Sequence, residues 1–121
     1  MTLDADDYAP VPALVAHARN SKSAGEYLRV SLTAVVGFKR GLHGVPSMLV
    51  TDYVNNYIGN DSRKSVRLSY LDNKADAKSI MEVMMLGVPT GMEIGIEVEG
   101  PLALDFAQGL VELIHQGKSL D

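Results

Sequence analysis

The fold turns on Met92–Ile114, MEIGIEVEGPLALDFAQGLVELI, in which the spacing of apolar residues changes once, at Gly100-Pro101. Before that point Met92, Ile94, Ile96 and Val98 share one side and Glu93, Glu97 and Glu99 the other. This is the period of two that a strand with one buried face requires. After it, Pro101 stands in the first turn of a helix, and Ala103, Phe106, Ala107, Leu110 and Ile114 recur on one stripe. A one-sided strand running into a one-sided helix predicts a sheet that helices cover on one face only.

The rest of the chain repeats the switch. In LRVSLTAV, Leu28, Val30, Leu32 and Ala34 alternate with polar residues as a strand does, and VPSMLVTDYVNNYI then carries Leu49, Val50, Tyr53, Val54, Tyr57 and Ile58 at helical spacing. Turn chemistry at Gly59–Ser62 precedes a second strand through Val66, Leu68 and Tyr70, and Asp72-Asn73 turns into a short third strand. SIMEVMML reads as a short helix with Ser79 as its N-cap, ended by GVPTG. The order is βαββαβα. With short connections it predicts an α+β, two-layer open-faced sandwich: a four-stranded antiparallel sheet with helices on one face. A ferredoxin-like domain shares the βαββαβ core, and element spacing does not separate the two.

Residues 1–27 differ in kind, being acidic at MTLDADDYAP and then proline-bearing. They read as an N-terminal extension, a short helix from about Pro12 to Asn20 and a linker over Ser21–Gly25, ahead of a domain spanning residues 28–121. At 121 residues with 46% hydrophobic and 21% charged residues, the chain has ordinary globular composition. A net charge of −4 and 6% aromatic residues supply neither a basic footprint nor stacking platforms for nucleic acid. With no cysteine, disulfides and thiolate chemistry are excluded. The absence of a signal-peptide pattern or a membrane-length apolar run points to the cytoplasm, without membrane insertion.

Three histidines are available for chemistry. His17 lies inside a predicted helix, where neighbouring N–H groups are paired, and reads as a surface or packing residue. His115 reads as a cation near a helix C-terminus. His43 is placed differently: it follows a strand and a loop, and precedes Gly44-Val45-Pro46, where a helix begins. The first N–H groups there, those of Gly44 and Val45, have no intrahelical acceptor and sit at the positive end of the helix dipole, so they would hold a phosphate carried on the imidazole. The alternative is that His43 only caps the helix. On the Ser79 helix, Ile80, Val83 and Met84 point inward and leave Met81, Met85 and Val88 on another face, either a partner-binding patch or a surface covered by the N-terminal arm. The strand glutamates do not converge as a metal site would require.

Two segments together resemble one family. GLHGVPSM (Gly41–Met48) resembles the Gly-Leu-His-Ala-Arg-Pro-Ala active-site motif of HPr, the histidine phosphocarrier of the bacterial sugar phosphotransferase system, and AKSIMEVMMLGVPTGMEIGIEVEG (Ala77–Gly100) resembles its regulatory-serine segment and following strand. The resemblance spans about Leu28 to Ile114 and favours the HPr arrangement over the ferredoxin-like one. It implies a phosphoryl acceptor at His43, a regulatory serine at Ser79, and partner docking on Ile80, Met81, Met85 and Met48. The implied partners are Enzyme I, sugar-specific components and HPr kinase, with no cofactor or metal; the N-terminal extension offers a route to a homo-oligomer.

The departures are equally specific. The family's arginine two residues after the histidine is Val45, basic residues of its first helix are absent around Asp52 and Asn55, and a glycine after the serine is Glu82. Lys39 or Arg40, in the loop before the histidine, is the candidate replacement for the lost arginine.

Overall fold

The computed structural model describes residues 28–117, so the expected helix at 12–20, its linker and His17 lie outside the described residues. Seven elements follow in the expected order: β1 (Leu28–Val35), α1 (Gly44–Ile58), β2 (Ser65–Tyr70), β3 (Asn73–Asp76), α2 (Ile80–Met85), β4 (Glu93–Gly100) and α3 (Ala103–Gln116). The strands form one sheet in the order β1-β4-β2-β3, every neighbouring pair antiparallel. β1 therefore sits at an edge, and β4, last in the chain, fills the gap between β1 and β2.

One row of the register shows why one face is dry: Leu32, Ile96, Leu68 and Ala75 lie side by side across the sheet, all buried. The row beyond it on the other face is Ser31, Glu97, Arg67 and Asp76, none of them buried. The stripe of α3 lands on the dry face as its spacing predicts, with Ala103, Phe106, Ala107, Leu110 and Ile114 all buried. Tyr53 and Tyr57 of α1 stack on Phe106, with ring centroids 5.1 and 4.2 Å apart. The Tyr57 hydroxyl donates to the Pro101 carbonyl at 2.7 Å. Burial, reinforced by the nearby Asp61 carboxylate, pushes the Tyr57 phenol up to about 12.

Three expected orientations are corrected. Met84 is 41% exposed and Val88 is buried, the reverse of the expectation, because α2 ends at Met85 and the helical period does not reach Val88. Val83 and Leu86 form the buried stripe instead. Met92 precedes β4 in a turn, its N–H donating to the Pro89 carbonyl, and its side chain is exposed. On α1 the buried face includes two hydroxyls, Ser47 and Thr51, that the apolar stripe did not reveal.

Candidate phosphoryl site

The loop between β1 and α1 is built against two other parts of the chain. The Gly37 N–H donates to the Ile114 carbonyl at 2.9 Å, tying the loop to the end of α3. The Gly41 N–H closes a turn on the Phe38 carbonyl, and the Leu42 N–H donates to the Val88 carbonyl, both at 2.9 Å. The Thr90 hydroxyl lies against the carbonyls of Phe38 and Lys39, the latter at 2.7 Å. Gly41 has φ +85°, and a Cβ there would come within 2.5 Å of the Val88 oxygen. Glycine is therefore required twice over, for the left-handed backbone and for the close approach. Phe38 and Leu42 anchor the loop in the core and leave His43 exposed between them and α1.

His43 is the N-cap of α1, with extended backbone (φ −133°, ψ −171°) and a side chain that makes no capping hydrogen bond. Its carbonyl accepts the Ser47 N–H at 2.9 Å, the first bond of the helix. Pro46 has no N–H to offer, so two backbone donors remain, those of Gly44 and Val45, and neither has a backbone acceptor. Gly44 opens onto free space, since a Cβ there would meet nothing within 4 Å. No acidic residue stands in the first turn. The site thus presents an accessible imidazole, two unpaired donors and the positive end of a 15-residue helix.

Ser79 heads α2 in another setting. It is the N-cap, as its position in sequence predicts, and its Oγ accepts the Glu82 N–H at 3.2 Å. The Glu82 carboxylate turns back to accept the Asp76 N–H at 2.8 Å, and the Asp76 carboxylate accepts the Lys78 N–H at 3.0 Å. Oxygen from the protein itself thus takes the third N–H of the helix and the Asp76 and Lys78 N–H groups ahead of it, and two carboxylates stand at this helix start.

Met81, Met84 and Met85 stand out from α2, Met85 at 78% exposure, while Met48 and Val45 project from α1; Ile80 is half-buried. The two helices pack against each other. The structure thus brings Met48, Met81 and Met85 to the surface as expected, and adds Met84, which the helical wheel places inward. A hollow of about 170 Å³, lined by Asn73, Lys74, Glu82, Met85 and Leu86, borders α2 on its β3 side. Among the described residues no cluster of His, Asp and Glu converges to hold a metal, and no helix is long and apolar enough to cross a membrane.

This arrangement, a histidine heading the helix after the first strand of a β1-β4-β2-β3 sheet, matches a family model described as the PTS HPr component phosphorylation site over residues 30–116. The chain belongs to the HPr family. The Phosphocarrier protein HPr of Cupriavidus necator is 34% identical over 76 residues, covering 63% of this chain and 80% of that protein. The HPr of Chlamydia trachomatis is 34% identical over 50 residues, 41% of this chain and 46% of that one. The crystal structure of HPr from Bacillus anthracis superposes with a TM-score of 0.64 at 26% identity, covering 72% of this chain and 98% of that one. An HPr from Thermoanaerobacter tengcongensis superposes at 0.61 with 28% identity, covering 69% and 89%. The ferredoxin-like alternative is thereby set aside, and the activity is that of a phosphocarrier of the phosphotransferase system working with its enzymes.

Proposed function

We propose that His43 is the phosphoryl acceptor of this HPr-family chain. The observation that carries the reading is an exposed imidazole, without a hydrogen bond to any described residue, at a helix start whose Gly44 and Val45 N–H groups are open. The ring nitrogen without a proton attacks the phosphorus of a phosphohistidine on Enzyme I. As the new N–P bond forms, the donor's N–P bond breaks and its ring recovers the electron pair. Phosphoryl oxygens then face the open N–H groups and the positive helix end, which favours the dianion. Reversal of the same displacement, with a sugar-specific component as acceptor, releases the group. The carrier needs no substrate pocket and no cofactor for this, because each partner brings its own reacting group, and the relay runs in the cytoplasm.

Met48, Ile80, Met81 and Met85 form the docking surface in this reading, since adaptable, polarizable side chains suit a face that meets several partners in turn. Ser79 is the target of HPr kinase, though its turn holds Glu82. Residues 1–27 form a separate extension that covers the methionine surface or joins a second copy. Deleting residues 1–26 is expected to raise hydrogen exchange of α2 or to alter subunit association; no change in either removes that role.

The test is incubation with Enzyme I and phosphoenolpyruvate. Acid-labile, alkali-stable phosphate is expected on the peptide containing His43, with none on His43→Ala. A wild-type protein that takes no label there loses the carrier assignment of His43. HPr kinase and ATP, read by mass at Ser79, test the regulatory role separately.

A further inference from the structure

The open helix start is a thin anion site. It offers two N–H donors to a phosphoryl group with three terminal oxygens, and Val45 presents an exposed apolar side chain where a charged one would complete the set. Resting on the assignment of His43 above, we propose that Arg40, three residues before the histidine, is the positioning residue that grips the phosphoryl group on His43.

Distance permits it: the two Cα atoms are at most about 11 Å apart even in a fully extended chain, and the turn closed by the Gly41 N–H on the Phe38 carbonyl shortens this. Rigidity favours it, because the loop carrying Arg40 is fixed on both sides. Thr90 holds the Phe38 and Lys39 carbonyls, Val88 holds the Leu42 N–H, and Gly41 fits its place without room for a side chain. An arginine rooted in such a loop loses little backbone freedom on binding.

Between the two cations of this loop, the contacts select Arg40. Both side chains are exposed, but Lys39 is already engaged in an interaction of its own, whereas Arg40 makes no hydrogen bond or ion pair with any described residue. Arg29 and Arg63 are held by Glu99 and Asp61, and Arg67, which like Arg40 has no such partner among the described residues, lies on the open face of the sheet, in β2 and not in this loop. The guanidinium fork also suits the geometry, since it binds two phosphoryl oxygens at once. The site then gains the charge-assisted contact that Val45 cannot give, from the strand side of the histidine instead of the helix side.

Single-turnover loading from phosphorylated Enzyme I tests this, together with the ³¹P shift of the phosphohistidine and its titration with pH. Arg40→Gln is expected to slow loading about tenfold and to raise the phosphoryl group's second pKa. Lys39→Gln and Arg63→Gln should change loading less than about twofold, and thermal unfolding should stay unchanged in all three because these side chains are exposed. Adding Val45→Arg to Arg40→Gln should restore loading by supplying the cation from the other side. A wild type that loads while Arg40→Gln matches it in rate and ³¹P titration overturns the role of Arg40 and leaves His43 standing. A wild type that takes no label overturns both.

Discussion

Two helix starts in this molecule solve opposite problems. At α2, the Ser79 hydroxyl caps the Glu82 N–H, and the Glu82 carboxylate, held by the Asp76 N–H, sits in the first turn at the positive end of the dipole. At α1, the N-cap is a histidine that caps nothing, no acid stands in the first turn, and the first two N–H groups are unclaimed. Capping normally stabilises a helix by about 1 kcal/mol, so α1 forgoes stability that α2 keeps. What α1 keeps instead is capacity, because its unpaired donors face no carboxylate and are available to an arriving phosphoryl group. The longer helix, pinned at its far end by the Tyr53, Tyr57 and Phe106 stack, tolerates an open start that a six-residue helix does not.

The most direct way to break this contrast is to give α1 a capping hydroxyl of its own. His43→Ser places a hydroxyl at an N-cap whose extended backbone already suits one, with the Val45 N–H as its partner because Pro46 has none to offer. Phosphoryl labelling should vanish, while unfolding in urea should show a stability gain of about 1 kcal/mol. Loss of label with a matching loss of stability would mean that the imidazole supports the fold, and the contrast would fail.

Next in size is Gly41→Ala. The added methyl meets the Val88 oxygen at 2.5 Å in a left-handed backbone, so the loop must leave its seat against Val88 and Pro89. The expected cost is about 3 kcal/mol in urea unfolding, with labelling slowed in the fraction that remains folded. Gly44→Ala is the control: its φ of +24° strains alanine, but nothing lies within 4 Å, so it should cost about 1 kcal/mol.

On the α2 side, Ser79→Ala should cost about 1 kcal/mol by removing the bond from the Glu82 N–H. Glu82→Gln removes a negative charge from the turn where a phosphoserine would add another. With HPr kinase and ATP, Glu82→Gln should be phosphorylated at Ser79 several-fold faster than wild type. Equal rates would show that the carboxylate does not guard the serine.

Much of this is legible in the sequence. The strands and α3 could be read because each has one partner face, so burial follows period: every residue of the α3 stripe is buried, as are Val30, Leu32, Ile94 and Ile96. The start of α1 could be read because Pro46 and the preceding glycines mark it independently of packing. Met84 and Val88 depart from the helical period because six residues carry fewer than two turns, and the hydrogen bond from Leu42 that fixes Val88 joins positions 46 apart in sequence. The same non-local contact fixes the His43 loop. Its sequence signal is Gly41, whose need for glycine follows both from its own left-handed backbone and from the Val88 carbonyl, which is distant in the chain.

The smallest effect concerns what lies behind the open helix start. The hydroxyls of Ser47 and Thr51 are buried on the inward face of α1 and have no hydrogen-bond partner among the described residues. They stand one turn apart, so neither can be relieved by water without opening the packing on the buried face of α1. A buried hydroxyl without a partner costs about 1 kcal/mol or more, and Ser47→Ala removes it while vacating only the volume of one oxygen. Ser47→Ala should therefore raise the urea midpoint by a gain of up to about 1 kcal/mol, with labelling of His43 unchanged. The informative contrary result is a loss of both. The Ser47 hydroxyl would then be bonded to the His43 carbonyl one turn back and would hold the cap residue in place, and α1 would have a hidden cap of its own. That outcome would narrow the difference between the two helix starts from capped against uncapped to capped from outside against capped from within.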